Sequence, residues 1–469
     1  MKAHSFFHRS IAILFTLPLV TAQAVEDIFQ IGTEWLTPAN WSLGVLPGPN
    51  DNARVTATGT LGIAGPTQVE VQDVAFAGTA ATTLMSTGTQ SAVLILNGGR
   101  GISTPLIQTG AAPVIIAESP GLLSLLLKAS GEIRVGAGGL NIQAEIEETG
   151  GSRSLTKTGL GTLTLSTSNF SGYSGTTVVA EGALILAARA GGSVINGDII
   201  VQSGSSLGFG GNSSTHIADT ASVTLNGGTM NLSVAAGNGG GGREAIGNLT
   251  VNGGTFLSSP NIAINPSQIF NVIGLLKMTA GEIAAQRGGG LRAGTVEISG
   301  GAVNLDGSST STPNTESRLS VGTGGLTLTG GTINFNTAST LSSSARGSIL
   351  FLGGNLTSVG SNSFNRLNAA VVGPKAVVDL LAAERVFNVT GSLAIGTAAA
   401  PISVINGSVT KAGAGTLTLP GVNTNTGTTN IDAGTLALTG STANSARIEV
   451  DAGATFDVTA SHRRSDGHR

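Results

Sequence analysis

Six times along its length this chain repeats one short phrase: two apolar residues at alternate positions, a Gly-containing pair, then two more apolar residues at alternate positions. It reads VTLNGGTMNL at 223–232, LTVNGGTFLS at 249–258, LKMTAGEIAA at 276–285, VEISGGAVNL at 296–305, LTLTGGTINF at 326–335 and ILFLGGNLTS at 349–358. The later Gly of each falls at 228, 254, 281, 301, 331 and 354, at intervals of 26, 27, 20, 30 and 23 residues. Alternation of period two is the signature of a strand with one buried face, and it puts Leu225, Val251, Ile298 and Leu328 on the same side. The Gly pair supplies a bend, because positive φ is cheap there. A spacing of 20 to 50 residues marks stacked repeat units.

One such unit cannot stand alone. It buries a few aliphatic side chains worth ~1.5–3 kcal/mol each. Ordering its backbone costs ~1–2 kcal/mol per residue. Stacking covers each aliphatic layer with the next and adds main-chain hydrogen bonds, so the cooperative solution is a solenoid. Composition agrees. Gly is 71 of 469 residues and charged residues are 10%, against typical values of ~7% and ~25%. The solvent face must therefore be Thr, Ser, Asn and Gly. With aromatics at 4%, the core must be aliphatic layers. Helical periodicity is nearly absent; residues 121–128 and 382–386 are the best short candidates. The expected fold class is all-β: a right-handed parallel β-helix of about three strands per coil. The rival, an array of β-sandwiches, would want more aromatic core and a period of about 90 residues.

A second pattern is longer. LTKTGLGTLTLSTSNFSGYSGTTVVAEGALIL at 155–186 returns as VTKAGAGTLTLPGVNTNTGTTNIDAGTLAL at 409–438. Lys157 matches Lys411, Gly161–Leu165 matches Gly415–Leu419, Asn169 matches Asn423, Thr177 matches Thr429, and Gly182 matches Gly434. Leu163, Leu165, Leu184, Leu417, Leu419 and Leu436 are expected to point inward. Both copies resemble the autotransporter-associated β-strand repeat, also called the passenger-associated transport repeat. The resemblance implies an exported passenger whose repeats aid secretion and folding at the cell surface. It also implies partners: outer-membrane secretion machinery, or a β-barrel encoded downstream.

The rest of the chain is consistent with export. Residues 1–24 read as a signal peptide, with Lys2 and Arg9 before an apolar run and Ala22-Gln23-Ala24 as the cleavage site. The apolar run is shorter than the ~20 residues a span needs, and no transmembrane segment is expected in the mature chain. Residues 25–54 hold both Trp residues, Trp35 and Trp41, and are expected to form an N-terminal cap; the alternative is an aromatic platform for a sugar ring. The β-helix is expected over 55–460. The last nine residues, SHRRSDGHR at 461–469, carry no aliphatic residue, which suggests a reading frame truncated or shifted near Ser461. The alternative is a genuine polar tail.

Chemistry is sparse. There is no Cys, so neither a disulfide framework nor a Zn–thiolate site is expected. Net charge is −3 and the acids are scattered; without a basic stripe, nucleic-acid binding is not expected. His216 reads as a loop residue, and Glu145, Glu147 and Glu148 as a solvated acidic edge. Lys157 and Lys411 read as packing and turn features rather than nucleophiles. Asp451 and Asp457 flank a Gly turn that lacks the Ca²⁺-binding nonapeptide pattern. Asn226, Asn252, Asn304 and Asn334 sit near equivalent turns, where they would stack as an internal amide ladder or simply favour the bend. Polar loops are expected at 237–243, 306–318 and 336–347. No catalytic residue, cofactor or metal site is nominated, and the chain is read as no enzyme. The alternatives are a carbohydrate-active β-helix enzyme, or an adhesin binding surface glycans or cells through shaft loops.

Overall fold

The computed structural model describes residues 25–98, 105–118, 122–167, 172–188, 192–211, 215–232, 244–258, 269–286, 289–307, 316–336, 347–367, 376–442 and 444–458. The chain winds into a parallel β-helix with three sides. An early coil shows the plan: Asn52–Val55 lies on side A, Gly59–Ala64 on side B and Thr67–Val71 on side C, and Asp73–Phe76 returns to A. Each strand pairs in parallel with its counterpart one coil on. The A ladder starts at Glu26–Phe29 and continues coil by coil to Ile448–Val450. The B ladder runs from Gly59–Ala64 to Thr455–Asp457.

Side C is discontinuous. Thr67–Val71, Ala92–Leu96, Leu123–Leu127 and Glu145–Glu148 form a four-stranded sheet of their own. Strand pairing on C then lapses until Ala245–Ile246, with only the bridge Ile195–Ile217 between among the described residues. It resumes as far as Ser403–Ile405 and gives way again to isolated bridges, Ile405–Thr424 and Val422–Ser441.

Register explains the core. On A, Val179, Val201, Leu225, Val251, Met278, Ile298 and Leu328 stand directly above one another, one per coil, all buried. On B the corresponding column includes Leu163, Leu184, Leu207, Met230, Phe256, Ile283, Val303 and Ile333. All six leucines expected to point inward are buried. A one-residue slip would turn each column to solvent, which is why the alternation fixes register so strongly.

Glycine sits at the A–B corner because corners stack on corners. Gly254, Gly281, Gly301 and Gly331 all have positive φ. A Cβ on Gly254 would lie 2.0 Å from the Gly228 carbonyl oxygen, and one on Gly281 2.5 Å from that of Gly254. The sixth copy of the phrase corrects the expectation. Gly354 lies between the C strand Ser348–Leu352 and the A strand Leu356–Ser358, so it turns a different corner. The A–B corner of that coil is at Gly360, φ 76°. The short last interval was therefore measured between unlike corners. The two helical candidates are also strands, Leu123–Leu127 and Glu384–Val389. Leu381 and Ala382, at positive φ, turn the chain into the second.

The asparagine ladders exist, but outside the core. Asn252 donates to Asn226 at 3.2 Å on the outer surface of A. Asn365 donates to Asn334 at 3.1 Å, and Asn334 to Asn304 at 2.7 Å, on the outer surface of B. Of the expected loops, 237–243 and most of 306–318 and 336–347 lie outside the described residues, as do residues 1–24 and 461–469. Among the described residues no helix is long and apolar enough to cross a membrane, which says nothing of a β-barrel.

The two ends of the stack differ. At the start, Phe29, Trp35 and Trp41 pack together with ring centres 4.9–6.4 Å apart, and all three are buried. The outer edge of Glu26–Phe29 is covered antiparallel by residues 40–42: Gln30 N donates to Asn40 O and Ser42 N to Ile28 O. Neither indole faces solvent as a sugar platform would. At the other end, Ile448 and Val450 occupy the inward columns above Thr429 and Ile431, yet are 37% and 47% exposed.

Candidate functional site

The most distinctive side chains of the two long repeats are Lys157 and Lys411. Both lie in strands of side A and point into the aliphatic interior: Lys157 stands between Ile133 and Val179, and Lys411 between Phe387 and Ile431. Both side chains are buried. Each butyl stem packs with the core while the ammonium reaches the A–B corner. There Lys157 Nζ donates to the carbonyls of Thr158, Gly159 and Glu181 at 2.9, 2.6 and 2.9 Å. Lys411 Nζ donates to those of Ala412, Gly413 and Ala433 at 2.8, 2.7 and 3.0 Å. The three donors of an ammonium thus meet three main-chain acceptors, two from its own coil and one from the next. Burial pushes Lys157 down to about 8, with the Glu181 carboxylate pulling the other way. Burial lowers Lys411 as well.

The corner glycines make room for this clamp. Gly159 and Gly413 take φ of 74° and 80°, and Gly182 and Gly434 take 66° and 68°. A Cβ on Gly182 would sit 2.6 Å from the carbonyl oxygens of Gly159 and Gly161; on Gly434, 2.5 Å from that of Gly413. The Gly-x-Gly after each Lys and the Gly before each Leu-x-Leu are thus the lower and upper halves of one tight corner.

Asn423 does the equivalent work on side C, where these coils carry no strand. It is buried. Its Oδ1 accepts from Val404 N at 2.9 Å, and its Nδ2 donates to the Gly421 and Ser441 carbonyls at 3.0 Å each. One amide therefore ties three successive coils. Asn425, Thr429, Thr442 and Ser445 extend the network, Asn425 Nδ2 to Thr429 Oγ1 at 3.0 Å. The matching Asn169 lies outside the described residues. In the first repeat Tyr173, fully buried, shares a 2.9 Å hydrogen bond with Thr177, and burial raises its phenol far above the usual range.

His216 lies in a bend, as expected, but is buried. Its Nε2 faces the Gly210 carbonyl at 2.8 Å, so that nitrogen carries a proton; its Nδ1 meets Glu244 Oε2 at 3.0 Å. Glu244, also buried, accepts the main-chain N–H groups of His216 and Ile217. This partner lies 28 residues away, with no motif linking the two positions. The pair closes side C within the stretch where strands lapse. Glu145 and Glu147 point outward from Glu145–Glu148. Glu148 accepts from Arg153 N and Ser174 Oγ at 2.6 Å each, tying the next turn down.

Lys157, Lys411 and Asn423 thus bond main-chain groups of their own and adjoining coils, while Tyr173, Asn425 and Thr429 bond other side chains. Residues 155–186 and 409–438 each match the family model described as the passenger-associated-transport-repeat. No curated protein and no solved structure matches the chain. The chain carries two passenger-associated-transport-repeats, each built round a buried lysine that clamps a coil corner.

Proposed function

We propose that this is an exported, non-enzymatic β-helical passenger of the autotransporter kind, whose repeats support secretion and folding of the shaft. In this reading residues 1–24 are a signal peptide, 25–54 close the N-terminal end, and 55–460 form the shaft. The tail at 461–469 is polar. The partner in export is outer-membrane secretion machinery or a β-barrel. The observation that carries the reading is the placement of Lys157 and Lys411. They lie inside the shaft, bonded to main chain from two coils, where they can hold a stack together but cannot reach a substrate. A coil so clamped templates the next strands and makes backward slippage costly, which is what folding during transport requires.

The test is export itself. Cells secreting the chain are pulse-labelled and surface-exposed protein is followed by added protease. The double variant Lys157→Met/Lys411→Met should reach the surface more slowly, with synthesis unchanged. Equal rates would count against a role for the repeats in transport. The purified chain should leave polysaccharides, esters and peptides intact. Release of reducing ends that is lost in Glu145→Gln/Glu147→Gln would favour the enzyme reading.

One observation favours an adhesin as the second reading. The long connections 233–243, 259–268, 308–315, 337–346 and 368–375 each join a B strand to the next C strand. The described B strands before these five stretches therefore end at one edge of the shaft, the placement that a row of display sites would require.

A further inference from the structure

Asn followed by Gly is the pair in which a side-chain amide is most readily lost, because the Gly nitrogen carries no side chain in its way as it approaches the Asn carbonyl carbon. Among the described residues the pair occurs at 97, 196, 226, 252 and 406. The fold treats these five positions differently.

Four of them are held. Asn97 Nδ2 donates to the Pro49 carbonyl at 2.9 Å, and Gly98 N to that of Gln72 at 3.0 Å. Asn406 Nδ2 lies 3.0 Å from both carboxylate oxygens of Asp379, and a Cβ on Gly407 would sit 2.2 Å from the Ala383 carbonyl oxygen. Gly197 is buried, and a Cβ there would sit 2.1 Å from the Gly175 carbonyl oxygen. Gly227 is bridged antiparallel to Gln202.

Asn252 differs in three ways. It is exposed at an A–B corner. Gly253 falls in a gap of both ladders: Val251 pairs with Leu225 and Thr255 with Thr229 on one side, Asn252 with Ala280 and Thr255 with Glu282 on the other. Its φ is 135°, and a Cβ on it would meet nothing nearer than 3.5 Å, so this glycine has room to move. Lastly, Thr279 Oγ1 donates to Asn252 Oδ1 at 3.0 Å. That bond draws charge from the carbon a nucleophile would attack and stabilises the oxygen as it becomes negative.

We propose that Asn252-Gly253 is a built-in modification site, at which the amide converts without an enzyme to aspartate and isoaspartate, with Thr279 as the electrophilic donor. The Gly253 nitrogen gives its proton to hydroxide and bonds to Asn252 Cγ. The Cγ–Nδ2 bond breaks, and the nitrogen takes a proton from water and leaves as ammonia. Water then opens the cyclic imide at either carbonyl. The isoaspartyl product has one more methylene in its main chain. The corner has no slack for it, since a Cβ on Gly254 would already lie 2.0 Å from the Gly228 carbonyl oxygen. Conversion therefore loosens this coil on the one before it and marks the age of the shaft, independently of the export reading.

The test is to keep the purified chain for weeks in mildly alkaline buffer, digest it, and follow each Asn-Gly peptide by mass spectrometry with the isoaspartyl form resolved. The Asn252 peptide should convert first, ahead of Asn226, while Asn97, Asn196 and Asn406 stay amides. Thr279→Val should slow conversion at Asn252 by roughly 2- to 12-fold, the span of one hydrogen bond, and Thr279→Ser should restore it. Hydrogen exchange should show the Thr255 amide, bonded to Gly228 O at 3.1 Å, losing protection in step with conversion. An Asn252 that stays intact, equal rates at all five positions, or a rate indifferent to Thr279→Val would overturn the proposal. Full protection of the Thr255 amide in converted chain would overturn the loosening.

Discussion

Replacing Lys411 by Met keeps the unbranched apolar stem and removes only the ammonium. The three bonds to Ala412, Gly413 and Ala433, at 2.7–3.0 Å, are lost together. Hydrogen bonds to charged groups contribute ~1.5–3 kcal/mol each, and a buried acceptor left unmade costs ~1–3 kcal/mol. Against this stands relief from burying a charge, which costs several kcal/mol. The corner carbonyls do not all become dry, since they lie next to solvent, so the net local loss should be about 2–4 kcal/mol. That corresponds to roughly 30- to 1,000-fold faster opening. A solenoid opens locally, so the informative assay is hydrogen exchange resolved to peptides rather than one global midpoint. The amides to watch are Gly415, bonded to Val389 O, Ala433, bonded to Lys411 O, and Thr435, bonded to Gly415 O. Their protection should fall by that factor, while Asn52–Val55, at the far end, keeps its own. Unchanged protection at all three amides would refute the clamp.

Two further outcomes follow from burial. Leu417→Asp should lower the unfolding midpoint by several kcal/mol equivalent, because it leaves an unpaired charge in an aliphatic layer; Thr416→Asp, one residue earlier and outward, should lie within about 0.5 kcal/mol of the parent in the same urea titration. Asp73 is pushed up to about 6 by burial, then by the charge of Glu26. Its folded value is raised, so the folded state holds more protons between the unfolded value and pH 6, and stability falls as pH rises through that window. Asp73→Asn should therefore raise the melting temperature at pH 7.5 and lose the advantage near pH 4; an equal gain at both would show that Asp73 titrates normally.

Much of the shaft can be read from the sequence because period two and stacked corners are strictly local demands. Leu163, Leu165 and Gly254 each announce their place through immediate neighbours. What escaped detection is non-local. Gly354 looks like its five predecessors, since a Gly turn between alternating runs carries no mark of which corner it turns. The stretch 121–128 is a helical candidate whose adjacent Leu125 and Leu126 blur the alternation; in the fold they face opposite sides of a C strand. The buried His216–Glu244 pair depends on a contact 28 residues apart with nothing in either neighbourhood to signal it. Lys157 and Lys411 were visible as recurring residues, but a lysine pointing into an aliphatic column contradicts any polarity-based reading. Only the three carbonyls converging at the corner account for it.

The coils without a C strand raise a general question: what replaces a missing ladder of main-chain bonds? In the second repeat a buried side-chain amide supplements the few main-chain bonds that remain, such as Thr424 N to Val404 O and Asn423 N to Ser441 O, and its chemistry allows a ranked prediction. Asn423 uses its oxygen to accept from Val404 N and its nitrogen to donate to two carbonyls. Asn423→Ala removes all three bonds and leaves a buried N–H unsatisfied, a loss of about 1–3 kcal/mol or somewhat more. Asn423→Asp keeps the acceptor for Val404 N, yet turns a carboxylate oxygen toward the Gly421 and Ser441 carbonyls in a dry site. Repulsion and desolvation should then exceed the loss in the Ala variant, unless the acid is protonated and donates to one of them. Near neutral pH the order of stability should therefore be parent, Ala, Asp. As pH falls through the raised carboxyl value of the variant, Asp should recover part of its deficit while Ala does not. Exchange at the Val404 amide separates the two causes: it should speed up in the Ala variant and stay protected longer in Asp. If Ala and Asp destabilise equally at every pH, the amide is a space filler. The third side would then be held by packing of Val404 and Ile402 and by the main-chain bonds Thr424 N to Val404 O and Ser441 N to Gly421 O.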